Sequence, residues 1–157
     1  MSRGSENRTS TCTPRRLERL HARAKGRLTV PTGRRGYATV GAVLTLLLVD
    51  DHASFRAAAR AALSERFTVV GEAADGPQAV ALARQVRPDV ALVDVQLPGL
   101  DGFAVAVALS AQEDPPQVVL TSSRDRRDLE PLLRTSPARG FIAKERLSVT
   151  SLEELLL

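Results

Sequence analysis

From Leu44 onward, short apolar runs recur along the chain at 44–49, 68–70, 90–93, 118–120 and 141–143, with starts 24, 22, 28 and 23 residues apart. They do not alternate with polar residues, as a strand with one wet face would. Uninterrupted runs of this length mark strands buried on both faces. The segments between them carry helical spacing. Phe55, Ala58, Ala59, Ala62 and Leu63 fall at i, i+3, i+4, i+7 and i+8, and Ala79, Leu82, Ala83 and Val86 repeat the pattern. Further helices are predicted over about 103–109, 125–133 and 149–157, with Pro131 expected to shorten or kink the second of these. Thr150 with Glu153, and Ser151 with Glu154, have the spacing of a capping box for the last helix. Five strands alternating with five helices predict an α/β protein: a doubly wound (βα)5, flavodoxin-like three-layer sandwich with a parallel sheet in the order 2-1-3-4-5.

Residues 1–43 lack this pattern. They are rich in Ser, Thr, Gly and Arg, and apart from a short helix predicted near 15–25 they lack the apolar content to fold alone. Charge divides at the same place. The sequence pI of about 10.2 suggests an anionic partner. Yet residues 1–43 hold 10 of the 22 basic and 2 of the 18 acidic groups, which leaves the body, 44–157, with net charge −4. The expected organisation is a basic, unstructured leader (1–43) ahead of one acidic domain (44–157). The leader's charge would suit nucleic acid or an anionic surface. Its composition is also that of a transit peptide, or of an extension from a translation start set too far upstream of Val40 or Val43.

Composition removes several classes. One cysteine, Cys12, excludes an intramolecular disulfide framework and a Cys-based zinc site. Two histidines, His21 and His52, cannot build a His-rich metal site, and with no Trp and one Tyr there is no aromatic platform for stacking bases. The longest uncharged apolar stretch, about 36–49, is too short to span a bilayer. Arg34-Arg35 ahead of it superficially matches an export signal. It lacks a convincing small-residue cleavage site, and its apolar half is needed as strand 1. A cytoplasmic protein is expected.

In such a sheet, chemistry collects beyond the carboxyl ends of the strands. The first run ends in Asp50-Asp51, the third in Asp94, the fourth in Thr121-Ser122, and the fifth is followed by Lys144. Three crowded carboxylates resist ionising together, and a hard dication such as Mg2+ relieves them. One carboxylate can then act as a nucleophile, while metal, lysine and hydroxyl hold the oxygens of an incoming phosphoryl group. Each residue has a plainer use alone. Asp50 and Asp51 could cap a helix, Asp94 could start the turn through Pro98 and Gly99, and Lys144 could be a solvated strand end. Lysine, however, is only two of the 22 basic residues, which suits a point-charge role.

The segments LLLVDDH (46–52), PDVALVDVQLPGLDG (88–102), VVLTSS (118–123) and RGFIAKE (139–145) resemble the receiver domain of two-component response regulators. The resemblance covers essentially all of 44–157. It implies that Asp94 is the phosphoacceptor and that Asp50 and Asp51 are the acidic pair, Asp51 the more direct Mg2+ ligand. It assigns the backbone carbonyl of Gln96 to the metal, Thr121 and Lys144 to the phosphoryl group, and Phe141 to the aromatic switch position. Two positions depart from the family pattern. Glu145 stands where proline usually follows the lysine, as in regulators with a helix-turn-helix output, and Phe replaces Tyr at 141. A haloacid-dehalogenase-like phosphatase would need a second aspartate two residues after the nucleophile, where Gln96 stands.

The implied partners are a sensor histidine kinase or phosphotransfer protein and an unidentified downstream protein. The face of helix 4, strand 5 and helix 5 is a candidate homodimer surface. The sequence shows no DNA-binding domain, so a stand-alone receiver is expected. The alternative is a DNA-binding regulator truncated before its output domain.

Overall fold

The computed structural model describes residues 29–31, 37–39 and 43–157. It divides into two units, 1–42 and 43–157. In the first, Thr29–Pro31 and Tyr37–Thr39 pair as a short antiparallel ribbon. The helix expected near 15–25, and most of the leader expected to lack structure, fall outside the described residues.

The second unit alternates strands and helices: β1 (Leu44–Val49), α1 (Ala53–Leu63), β2 (Phe67–Ala73), α2 (Gly76–Val86), β3 (Val90–Asp94), α3 (Gly102–Ser110), β4 (Gln117–Ser122), α4 (Arg126–Thr135), β5 (Gly140–Ala143) and α5 (Val149–Leu156). All five strands are parallel, in the order β2-β1-β3-β4-β5, as the pattern predicts.

The continuous apolar runs have a direct cause. Side chains alternate across a strand, and here both faces are covered. Leu46, Leu48, Val90, Leu92, Val119 and Ile142 pack with Ala59 and Leu63 of α1 and Leu152 and Leu156 of α5. Their neighbours Leu47, Val49, Ala91, Val93, Val118, Leu120 and Phe141 pack with Ala79 and Ala83 of α2, Val105 and Leu109 of α3, and Leu129 of α4. Each fully buried Leu or Val contributes about 1.5–3 kcal/mol. At the opposite edge from the carboxyl ends, the Asp89 carboxylate accepts hydrogen bonds from Thr45 N at 2.8 Å and Thr45 Oγ1 at 2.7 Å, fixing β1 against β3.

Three local details differ from the pattern, in α1, α5 and α4, whereas β2 ends at Glu72-Ala73, with a register shift between Leu46 and Leu47 that passes over Val70. A Cβ on Gly71 would sit 2.8 Å from Leu82 Cδ2, so the missing side chain lets α2 pack close. In α1, Ala58 and Ala62 are exposed, and the helix instead turns Arg56 inward beside Phe55. α5 is capped by Ser148, one turn before the expected box: Ser148 Oγ accepts from Ser151 N and Ser151 Oγ accepts from Ser148 N, each near 3 Å. Ser148 is extended (φ −151, ψ 166), so the helix starts at Val149 and leaves no capping role for Glu153 or Glu154. Finally, α4 continues through Pro131 to Thr135, with Leu129 as its buried residue. No helix among the described residues is long and apolar enough to cross a membrane.

A Cβ on Gly102 would collide with the carbonyl oxygen of Asp94 and lie 2.7 Å from Val95 Cα. Gly102→Ala should therefore destabilise the domain by about 1–3 kcal/mol, seen as a lower urea midpoint at unchanged slope. Glu72, at the end of β2, accepts from Arg56 Nε at 3.0 Å and Arg60 Nη2 at 2.6 Å. These bonds hold its pKa below the ordinary 4.5. The depressed pKa stabilises the fold fully above the unfolded value, and that stability is lost as pH falls through the folded one. Because the pair is partly exposed, Glu72→Gln should cost only about 1 kcal/mol at pH 7. Its urea midpoint should converge with the parent's as pH falls below 4.5.

Candidate functional site

The order β2-β1-β3-β4-β5 seats β3 between β1 and β4, so the carboxyl end of β3 faces side chains from both. Val49 is paired with Val93, and Asp94 with Thr121. In-register neighbours present side chains to the same face, which places Thr121 beside Asp94. Lys144 follows β5 directly and opens a single 3₁₀ turn, Lys144–Arg146.

Lys144 draws the acidic groups together. Its Nζ lies 2.6 Å from Asp50 Oδ2 and donates to Asp94 Oδ2 at 2.9 Å. Both carboxylates are almost completely buried, at 1% and 2% exposure. Asp94 Oδ1 accepts a long hydrogen bond from Gln96 N at 3.3 Å. Asp51, by contrast, keeps about a third of its side chain in solvent. One ammonium thus serves a rim of three carboxylates. Burial raises the pKa of Asp94, and the bonds from Lys144 and Gln96 only partly oppose this. Burial also works against the Lys144 ammonium, but its bonds to Asp50 and Asp94 outweigh that and raise its pKa. Thr121 Oγ1 is fully buried with no hydrogen-bond partner among the described residues. A buried hydroxyl left in that condition costs about 1–3 kcal/mol, which is consistent with a site shaped for a polar ligand.

The expected residues therefore fall in two groups. Asp50, Asp51, Asp94, Thr121 and Lys144 gather at one rim. Gln96 is exposed beyond β3, with its N–H turned to Asp94. Phe141 lies on β5 and belongs to the buried cluster on the sheet face that α2, α3 and α4 cover, at 9% exposure. The helix-cap reading of Asp50 and Asp51 does not hold, because the N-cap of α1 is His52 and it makes no side-chain cap bond.

Three further residues belong to the rim, and the sequence assigns none of them a role there. His52 donates its backbone N–H to Asp50 Oδ1 at 2.8 Å, and its Nδ1 lies 2.7 Å from Asp51 Oδ1. Phe55 places its ring centroid 4.6 Å from Lys144 Nζ, a cation–π contact. Arg56 Nη1 donates to the Asp50 carbonyl at 2.6 Å while its Nε holds Glu72, tying β2 to the rim. β2 thus contributes to the rim through Glu72. The spacing of Phe55 and Arg56 places them on α1 but does not reveal contacts with Lys144 and Asp50.

Ligand atoms of Asp50, Asp51, His52 and Asp94 all lie within 4.8 Å of one another. Carboxylate oxygens dominate this set and one carboxylate is open to water, so the pocket is compatible with a hard dication such as Mg2+ that keeps part of its water shell.

Comparison with known proteins gives one family. Residues 46–155 match the model of the response regulator receiver domain. The chain is 36% identical over 114 residues to a transcriptional regulator of Pseudomonas aeruginosa, covering 71% of this chain and 53% of that protein. It is 41% identical over 98 residues to the transcriptional regulatory protein NarL of Mycobacterium tuberculosis, covering 61% of this chain and 45% of that one. The solved signal receiver domain of Mycobacterium tuberculosis NarL superposes with TM-score 0.64 at 36% identity, over 71% of this chain and 94% of that domain. The chain spans about half the length of these curated relatives. Its sheet order and the family match over 46–155 agree, and the chain belongs to the receiver-domain family of two-component response regulators.

Proposed function

We propose that Asp94 accepts a phosphoryl group from a phosphohistidine on a sensor kinase or phosphotransfer protein. The observation that carries this reading is the buried pairing of Asp94 with Lys144 at 2.9 Å, next to the unpartnered hydroxyl of Thr121. A carboxylate oxygen of Asp94 attacks phosphorus, the phosphorus–nitrogen bond to the donor breaks, and the imidazole leaves with the bonding pair. The product is an acyl phosphate that later hydrolyses. Lys144 and Thr121 then each hold a phosphoryl oxygen.

Asp50, Asp51, Asp94 and the Gln96 carbonyl would hold Mg2+, whose charge would offset the carboxylates and the phosphoryl oxygens as they approach. Asp51, more exposed than Asp50, would be the more direct ligand. Asp50 is already engaged by Lys144 and His52 N.

The added charge on Asp94 draws Thr121 toward the phosphoryl group and frees space behind it for the Phe141 ring. The face formed by α4, β5 and α5 then selects a different partner, either a downstream protein or a second copy of the chain. The chain acts as a phosphoacceptor that promotes its own phosphorylation and hydrolysis rather than as an enzyme on a separate substrate, and it works in the cytoplasm.

Incubation with acetyl phosphate and Mg2+ should add the mass of one phosphoryl group to the parent protein and none to Asp94→Asn. Equal gain in both would reject the assignment. Lys144→Gln should bind Mg2+ yet phosphorylate about 10²–10³-fold more slowly, measured as the rate of that mass gain. A parent-like rate would remove Lys144 from the chemistry.

A further inference from the structure

His52 has no task in the phosphoryl transfer described above. It is the N-cap of α1, but its side chain makes no cap bond. Two-thirds of the side chain is in solvent, so packing does not hold it either. Its ring is instead turned to the acidic pair, with Nδ1 2.7 Å from Asp51 Oδ1 and 3.3 Å from Asp50 Oδ1.

These distances match those between ligands of one metal ion. Atoms bound cis at about 2.1 Å from an octahedral cation lie about 3.0 Å apart, and the two His52 distances bracket that value. The backbone enforces the placement. His52 N donates to Asp50 Oδ1, so the start of α1 is pinned to the carboxylate that the ring faces. A second, independent feature marks the rim as built for a ligand: Thr121 Oγ1, fully buried and unpartnered, beside Asp94.

We infer that His52 Nδ1 is an additional ligand that gives this pocket a preference for first-row transition cations over Mg2+. The inference rests on the receiver reading of Asp50, Asp51 and Asp94 as the metal's carboxylates. Mg2+ takes oxygen ligands and binds imidazole poorly, whereas Mn2+, Co2+ and Zn2+ accept imidazole nitrogen readily. With Mg2+ the ring stays beside the acidic pair, within hydrogen-bond reach of Asp50 at 3.3 Å. With Co2+ or Zn2+ it enters the coordination shell beside the carboxylates. The pocket would then respond to which divalent ion is abundant, using the same three aspartates in both cases.

The test uses the full chain without a histidine tag, titrated with Mg2+ and with Co2+ by calorimetry, alongside His52→Gln and Asp51→Asn. Glutamine keeps a polar side chain beside the acidic pair but lacks the azole nitrogen, and position 52 is too exposed for the change to unfold the domain. The expected result is a loss of about tenfold or more in Co2+ affinity for His52→Gln, a change in the visible absorption of the Co2+ complex, and Mg2+ affinity within about twofold of the parent. Unchanged Co2+ affinity and absorption in His52→Gln would overturn the inference, leave His52 as a hydrogen-bonding neighbour, and leave the receiver reading intact. Absence of Mg2+ binding, or equal Mg2+ binding by Asp51→Asn and the parent, would overturn the underlying metal assignment and the inference with it.

Discussion

Lys144 stands 2.6 Å from Asp50 and 2.9 Å from Asp94, and both carboxylates are buried. Two such groups side by side repel, and at an effective dielectric of about 20 unit charges 4 Å apart interact by about 4 kcal/mol. One ammonium between them makes the arrangement tolerable but does not neutralise it, since Asp51 adds a third carboxylate beside it. The supports around the ammonium follow from that requirement. Phe55 stacks beneath it, Arg56 fixes the backbone of Asp50, and β5 must lie in register with β4 for Lys144 to arrive at all. A rim left short of positive charge favours a cation, and its unsatisfied hydroxyl at Thr121 favours an oxygen-bearing ligand. The same electrostatic shortfall serves both.

The large features were legible in the sequence because they depend on local composition. A strand covered on both sides is apolar along its buried length, and the runs 46–49 and 90–93 meet that condition. The chemistry was legible because polar residues ending apolar strands stand out: Asp50, Asp94 and Thr121 each interrupt or end such a run. The missing parts share one property, which is that they depend on distances between elements. Nothing in 52–56 reveals that His52 faces Asp51, that Phe55 underlies Lys144 or that Arg56 joins Asp50 to Glu72. The cap at Ser148 was displaced because spacing marks several serines and threonines equally well, and only the extended backbone at Ser148 decides among them.

Charge changes meaning in the same way. The pI near 10.2 belongs to a sequence whose first 43 residues are strongly basic. The domain that follows is acidic, and part of that acidity is the site itself. Relatives such as the NarL proteins extend well beyond the matched region, to about twice its length. The receiver is the part that this chain shares with them.

In the proposed function Asp94, and neither member of the acidic pair, carries the phosphoryl group. Borohydride reduces an aspartyl phosphate to homoserine and leaves free carboxylates untouched. After treatment with acetyl phosphate and Mg2+, borohydride trapping followed by peptide mapping should place homoserine at position 94. Homoserine at position 50 or 51, with 94 remaining aspartate, would place the phosphoryl group on the acidic pair and reject Asp94 as the acceptor.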